Sequence, residues 1–161
     1  YFPKWLLPAY IVVANTYKFF IVLFLLVVSL LALGFYPTGS WIFLPLLVAV
    51  QFLLVLGMSL AAAAIVPLVP DLKYAIQYGM TMLFFLSGVF FDISDLAEPV
   101  RSWLLWVPTV QMIEAYRDLL LHDQILNEVA VSRILFSAAA FGGVGVFLLA
   151  YFDRYYPRIV K

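Results

Sequence analysis

The sequence predicts an all-α membrane protein: four membrane-spanning helices, with two short helices at the external surface between the third and the fourth. Three observations carry this. Uncharged runs of 52, 18 and 19 residues occur at 19–70, 74–91 and 134–152. The chain is 66% apolar and 11% charged, with a mean hydropathy of +1.09, whereas soluble domains are about half apolar and a quarter charged. A soluble fold of 161 residues could not hide that much apolar surface, so lipid must cover it. Finally, the uncharged runs are separated by residues that punctuate helices.

Each span follows from length. The hydrocarbon core is about 30 Å thick and a helix rises about 1.5 Å per residue, so a crossing takes roughly 20 apolar residues. The first run is long enough for two crossings. Gly34, Tyr36, Pro37, Thr38, Gly39 and Ser40 supply a turn near its middle, giving spans over 17–35 and 41–66. Pro67 and Pro70 end the second. After the polar turn at Asp71 and Lys73 comes a third span over 74–91, and the last run is a fourth over 134–152. In lipid these must be helices, because a lone strand leaves its backbone groups unpaired.

The segment 92–133 differs. It holds seven acids and three arginines around an uncharged stretch, 102–113, containing Trp103, Trp106 and Pro108. As a helix that stretch would be about 18 Å long, too short to cross. A pair of short amphipathic or re-entrant helices, broken at Pro108, fits it. Four spans put both ends of the chain and the Asp71–Lys73 turn on one side. That side carries six Lys and Arg and a net charge of +4, while the other carries three and a net charge of −4. The basic side, with both termini, is therefore expected in the cytoplasm.

Several functions are disfavoured by what the chain lacks. Zero net charge gives nothing for nucleic acid. The absence of cysteine removes disulfides, thiolate catalysis and cysteine-ligated metals. No GxxxxGK[ST] is present to cradle nucleotide phosphates. No acid or base lies inside an expected span, as a proton relay would need. No catalytic, cofactor or metal set converges, and the lone His122 reads as a surface residue. Tyr1-Phe2-Pro3-Lys4-Trp5 lacks the form of a signal peptide.

Three patterns admit two readings each. Gly57, Ala61 and Ala64 in the second span, and Ala138, Gly142 and Gly145 in the fourth, can pack one bundle or meet a second subunit. Glu114, Arg117 and Asp118 share a helix face, either as a solvated ion pair or as a group setting the depth of a re-entrant helix. Tyr74, Tyr78, Phe84 and Phe85 in the third span either face lipid or line a path for a sugar polymer, whose pyranose faces stack on aromatic rings.

The order of short motifs resembles the permease subunits of type 2 ABC exporters. Pro70-Asp71-Leu72-Lys73 enters a span that ends in Phe84-Phe85-Leu86-Ser87-Gly88-Val89-Phe90-Phe91. Trp106-Val107-Pro108 and Ile113-Glu114-Ala115-Tyr116-Arg117-Asp118 follow. The similarity is greatest to the branch exporting O-antigen, capsular polysaccharide or teichoic acid. Val107 stands where that branch usually has Asn, and Tyr116 where it often has Phe. Tyr1-Phe2-Pro3-Lys4-Trp5-Leu6-Leu7-Pro8 is similar to the segment that follows the family's second span.

The resemblance implies a six-span fold of which 1–161 covers the last four, the first two being absent or carried elsewhere. It implies that Tyr1, Phe2, Pro3, Lys4 and Trp5 adjoin the helix docking on an ABC ATPase subunit. That subunit, not this chain, would hold ATP and magnesium. It implies that Tyr74, Tyr78, Phe84 and Phe85 border the substrate pathway. Trp103, Trp106, Pro108, Glu114 and Arg117 would belong to the external gate helices. The expected assembly is a homodimer of permeases in the inner, plasma membrane, passing a lipid-linked polysaccharide such as O-antigen outward without itself being an enzyme. Two alternatives stay open: a type 2 exporter of drugs, lipids or haem precursors, and a four-span assembly subunit with no transport role.

Overall fold

The computed structural model describes residues 6–91 and 93–152. Among them every regular element is helical. The six α-helices are α1 (Leu6–Ala32), α2 (Leu44–Ile65), α3 (Leu72–Leu86), α4 (Glu98–Leu104), α5 (Pro108–Leu120) and α6 (Glu128–Phe152). Short 3₁₀ turns cover Gly39–Phe43 and Ile93–Asp95.

Three segments, Leu6–Ala32, Gly39–Ile65 and Glu128–Tyr151, are long and apolar enough to cross a bilayer, with mean hydropathies of 2.3, 2.4 and 2.0. α1 starts well before the span expected at 17–35: Pro8 falls in its first turn, where proline is tolerated, and no Gly or Pro follows before Tyr17. It closes with a Schellman turn. Gly34 takes φ +90°, Gly34 N–H donates to Leu31 O and Phe35 N–H donates to Leu30 O. α6 starts six residues before the expected 134. The Asn127 carboxamide oxygen accepts the Val129 N–H at 2.9 Å and caps its first turn. A count of charge-free residues misses that charged first turn.

α2 and α6 form the tightest pair. A Cβ on Gly57 would lie 2.5 Å from the Ala138 carbonyl oxygen, and one on Gly145 would lie 2.6 Å from Ala61 N. The small residues of the two helices therefore face one another, letting the backbones touch. The register rises together, 57 against 138–142 and 61 against 145, so the helices are parallel. α5 wedges between them at the end where both begin. Leu47, Val50 and Leu54 of α2, Met112, Ala115 and Leu119 of α5, and Ile134 and Ala138 of α6 make one core.

That parallel pairing decides the path of the chain. The chain leaves α2 at one face of the bundle and must return to the opposite face, the upper one, to begin α6. α3 makes the return. Its end is held by Arg117 of α5, and Leu119 of α5 accepts a 3.0 Å hydrogen bond from Ser40 at the α1–α2 turn. Three of the four expected spans are thus long helices, while α3 has only 15 residues, about 22 Å, and is not among the segments long enough to cross. The expected span 74–91 stops being helical at Leu86, because Gly88 takes φ +78° and the Ser87 hydroxyl turns back to Phe84 O at 2.7 Å. α3 buries no residue. α1 rests on α2 through Phe19 and Phe52, whose rings meet edge to face at 5.7 Å. The two helices leave between them an apolar groove of about 900 Å³.

Candidate functional site

The polar groups gather at the upper end, around α4 and α5. Each short helix begins on proline: Pro99 in the first turn of α4 and Pro108 as the first residue of α5. A proline there loses nothing, since the first helical N–H has no partner in any case. Val107, preceding proline, is extended at ψ 119° and makes the break between the helices. The Gln111 carboxamide donates back to Leu105 O and closes that break.

α5 is fastened on three sides. Toward α2, the Tyr116 hydroxyl donates to the Gln51 carboxamide oxygen at 2.7 Å. Burial pushes the Tyr116 phenol up to about 12, so it remains a neutral donor at physiological pH. Toward the α1–α2 turn, Ser40 bonds Leu119 O. Beyond α5, the Thr38 and Ser40 hydroxyls hold the Asp123 carboxyl below the usual carboxylate range. Asp123 sits at φ 53°, a left-handed position that Asp tolerates better than most residues.

Toward α3, Arg117 provides the third fastening. Its guanidinium donates to Gly88 O, reaches Phe91 O at 3.5 Å and pairs with Glu114 at 2.9 Å. The side chains of Glu114 and Arg117 are each 26% exposed, so the pair is largely covered rather than solvated. Asp118, which shares their face, turns instead to His122 at 3.3 Å. A cavity of about 400 Å³ with a mixed lining opens between α4, α5 and the start of α6, where Arg101, Glu114, Asp118 and Arg133 stand beside Leu105 and Leu126.

The remaining expected residues fall as follows. Trp103 and Trp106 are exposed, and the Arg133 guanidinium lies 5.0 Å over the Trp106 ring. Tyr74, Tyr78, Phe84 and Phe85 are all exposed along α3. Phe84, Phe85 and Phe90 form a ring cluster with centroids 5.5 to 5.6 Å apart, one pair stacked and two edge to face. Lys73 covers the Tyr74 ring at 4.7 Å. Tyr1, Phe2, Pro3, Lys4 and Trp5 lie outside the described residues. Among the described residues no group of three or more potential metal ligands converges.

Sequence reasoning overlooked Gln51 and the two carbonyls that Arg117 binds. Gln51 had a visible signal, as the only carboxamide in the 52-residue uncharged run. The carbonyls had none, since every residue carries one. Tyr116, noted only as a departure from Phe, uses its extra hydroxyl on Gln51.

Comparison with known proteins agrees with this architecture. Residues 2–121 match the family model described as ABC-2 type transporter. The O-antigen export system permease protein RfbA of Myxococcus xanthus is 29% identical over 147 residues, covering 86% of this chain and 56% of that protein. The Klebsiella pneumoniae protein of the same name is 25% identical over 147 residues, covering 90% of this chain and 56% of its own length. The chain thus spans a little over half the length of these curated relatives. No solved structure matches it significantly.

Proposed function

Since the chain belongs to the ABC-2 type transporter family and is a multi-pass membrane protein, we propose that it is part of the permease of an ATP-driven exporter that moves a lipid-linked polysaccharide such as O-antigen out of the cytoplasm. The observation that carries this is the exposed aromatic face of α3, standing beside short helices at the upper end of the bundle. Two relatives named as O-antigen export permeases support the choice of cargo. Rings exposed on a helix with no buried residue can serve a polymer that must be held and released repeatedly. Stacking is weak per contact and tolerant of sequence, which suits passage rather than storage.

In this reading the upper face is external and the lower face, with Asp71 and Lys73, is cytoplasmic in the inner membrane. An ABC ATPase subunit binds near Tyr1, Phe2, Pro3, Lys4 and Trp5 and supplies ATP and magnesium; this chain does no chemistry. Two permease copies enclose the path. Tyr74, Tyr78, Phe84 and Phe85 line it, and Trp103, Trp106, Pro108, Glu114 and Arg117 belong to its external gate. Lipid covers the outward faces of α1 and α6.

Reconstitution of the full-length permease in vesicles, with and without its ATPase subunit, tests the proposal. Polymer translocation is expected only with both subunits and ATP. Translocation that continued without the ATPase would overturn the mechanism. Translocation of small amphiphiles but not of lipid-linked polymer would change the cargo.

A further inference from the structure

We propose that Arg117 is the link through which displacement of α3 is passed to α5, making it a positioning residue for opening of the upper end; the inference rests on the export reading above. α3 buries no residue, so little packing resists its movement. At its upper end, however, the chain turns tightly. Gly88 is left-handed, a Cβ there would lie 3.0 Å from the Ile93 side chain, and Ile93 is 2% exposed. The turn at 87–91, with Gly88 packed on the buried Ile93, is thus a stiff handle on a loosely held helix. Arg117 grips it by two carbonyls, Gly88 O and Phe91 O.

The grip has a direction. α5 is anchored in the core by Met112, Ala115 and Leu119, and to α2 and the α1–α2 turn by Tyr116 and Leu119. Motion of the handle is therefore delivered to a helix seated in the α2–α6 core, so that α5 passes it on together with that core. The planar guanidinium can serve two carbonyls and Glu114 at once, whereas an ammonium is a single point charge without that fork. Glu114 balances the charge and fixes the orientation of the fork at 2.9 Å.

Pulsed electron resonance on the full-length permease with its ATPase subunit, in nanodiscs, tests the link. Val89→Cys and Leu121→Cys place labels at exposed positions on the handle and at the end of α5; these 161 residues contain no other cysteine. With Arg117 present, one narrow distance is expected, the same with and without a non-hydrolysable ATP analogue. In Arg117→Gln the distribution should broaden and become nucleotide-dependent. Export should fall about tenfold, the equivalent of one lost hydrogen bond to a charged group. Arg117→Lys, which retains the charge, should broaden it as well while the complex still assembles, separating the link from a folding defect. The link is overturned if the Arg117 protein already shows a nucleotide-dependent distance, or if either variant stays narrow. The distances are read without cargo, so failure to export polysaccharide alongside the expected distances would count against the cargo alone.

Discussion

α2–α6 and α3 each carry glycine within a helix and do opposite things with it. α2 and α6 approach until glycine is required at the crossing: Gly57 and Gly145 have no room for a methyl group. α3 carries a glycine too, but a Cβ on Gly79 would meet nothing within 4 Å. In lipid the hydrophobic effect does not draw helices together, so close packing of small residues must do it. Where small residues from two helices coincide, a rigid pair forms. Where large aromatics occupy the surface instead, the helix stays free to meet a polymer, a second copy or lipid. The molecule thus divides into a frame and a movable pass, joined at the upper end by α5.

The comparison breaks most directly by making one substitution in both regions. Gly57→Leu should cost about 3 kcal/mol or more, because the clash is with backbone that cannot move aside. Gly79→Leu should leave stability within about 0.5 kcal/mol. Thermal unfolding of the purified permease checks both, and equal losses would erase the distinction between frame and pass. A smaller effect is expected from Tyr116→Phe, which removes the donor to Gln51. A loss of about 1–3 kcal/mol is expected, since a covered carboxamide oxygen is left without that partner. An unchanged unfolding temperature would show that the Tyr116–Gln51 bond adds nothing to the hold on α5.

How much of this was legible in the sequence depends on the residue. The three long apolar helices could be read because transfer of apolar residues into lipid depends on composition and length, which are local. Pro108 announced the break between α4 and α5 for the same reason: its effect is on its own backbone and that of Val107. The short end of α3 was not legible. Ser87, Gly88 and Val89 are all tolerated in a membrane helix, and only packing over Ile93 shows that the chain turns there. Among the candidate site residues, the Glu114–Arg117 pairing followed from helical spacing, but the partners across 26 and 29 residues did not.

The smallest expected effect concerns pH at the upper turn. Asp123 is held below the usual carboxylate range by the Thr38 and Ser40 hydroxyls. A group with a depressed folded value stabilises the folded state above its unfolded value, and that contribution is lost as pH falls through the folded one. The contacts of Asp123 with residues 38 and 40 should therefore hold at neutral pH and loosen only in strong acid. Hydrogen exchange at residues 38–40, compared between the parent and Asp123→Asn, checks it. A parent whose protection did not change in acid would show that Ser40 is held by Leu119 alone.

The sequence by itself determined that this chain is helical, that it crosses a bilayer, and roughly where, because desolvation of backbone and side chains is a property of each segment taken alone. Only the tertiary structure decided that α2 and α6 are the rigid pair, that α3 is held at one end, and that Arg117 holds it. Those outcomes depend on which surfaces meet, and a contact between residues 29 positions apart is created by the fold rather than by either segment.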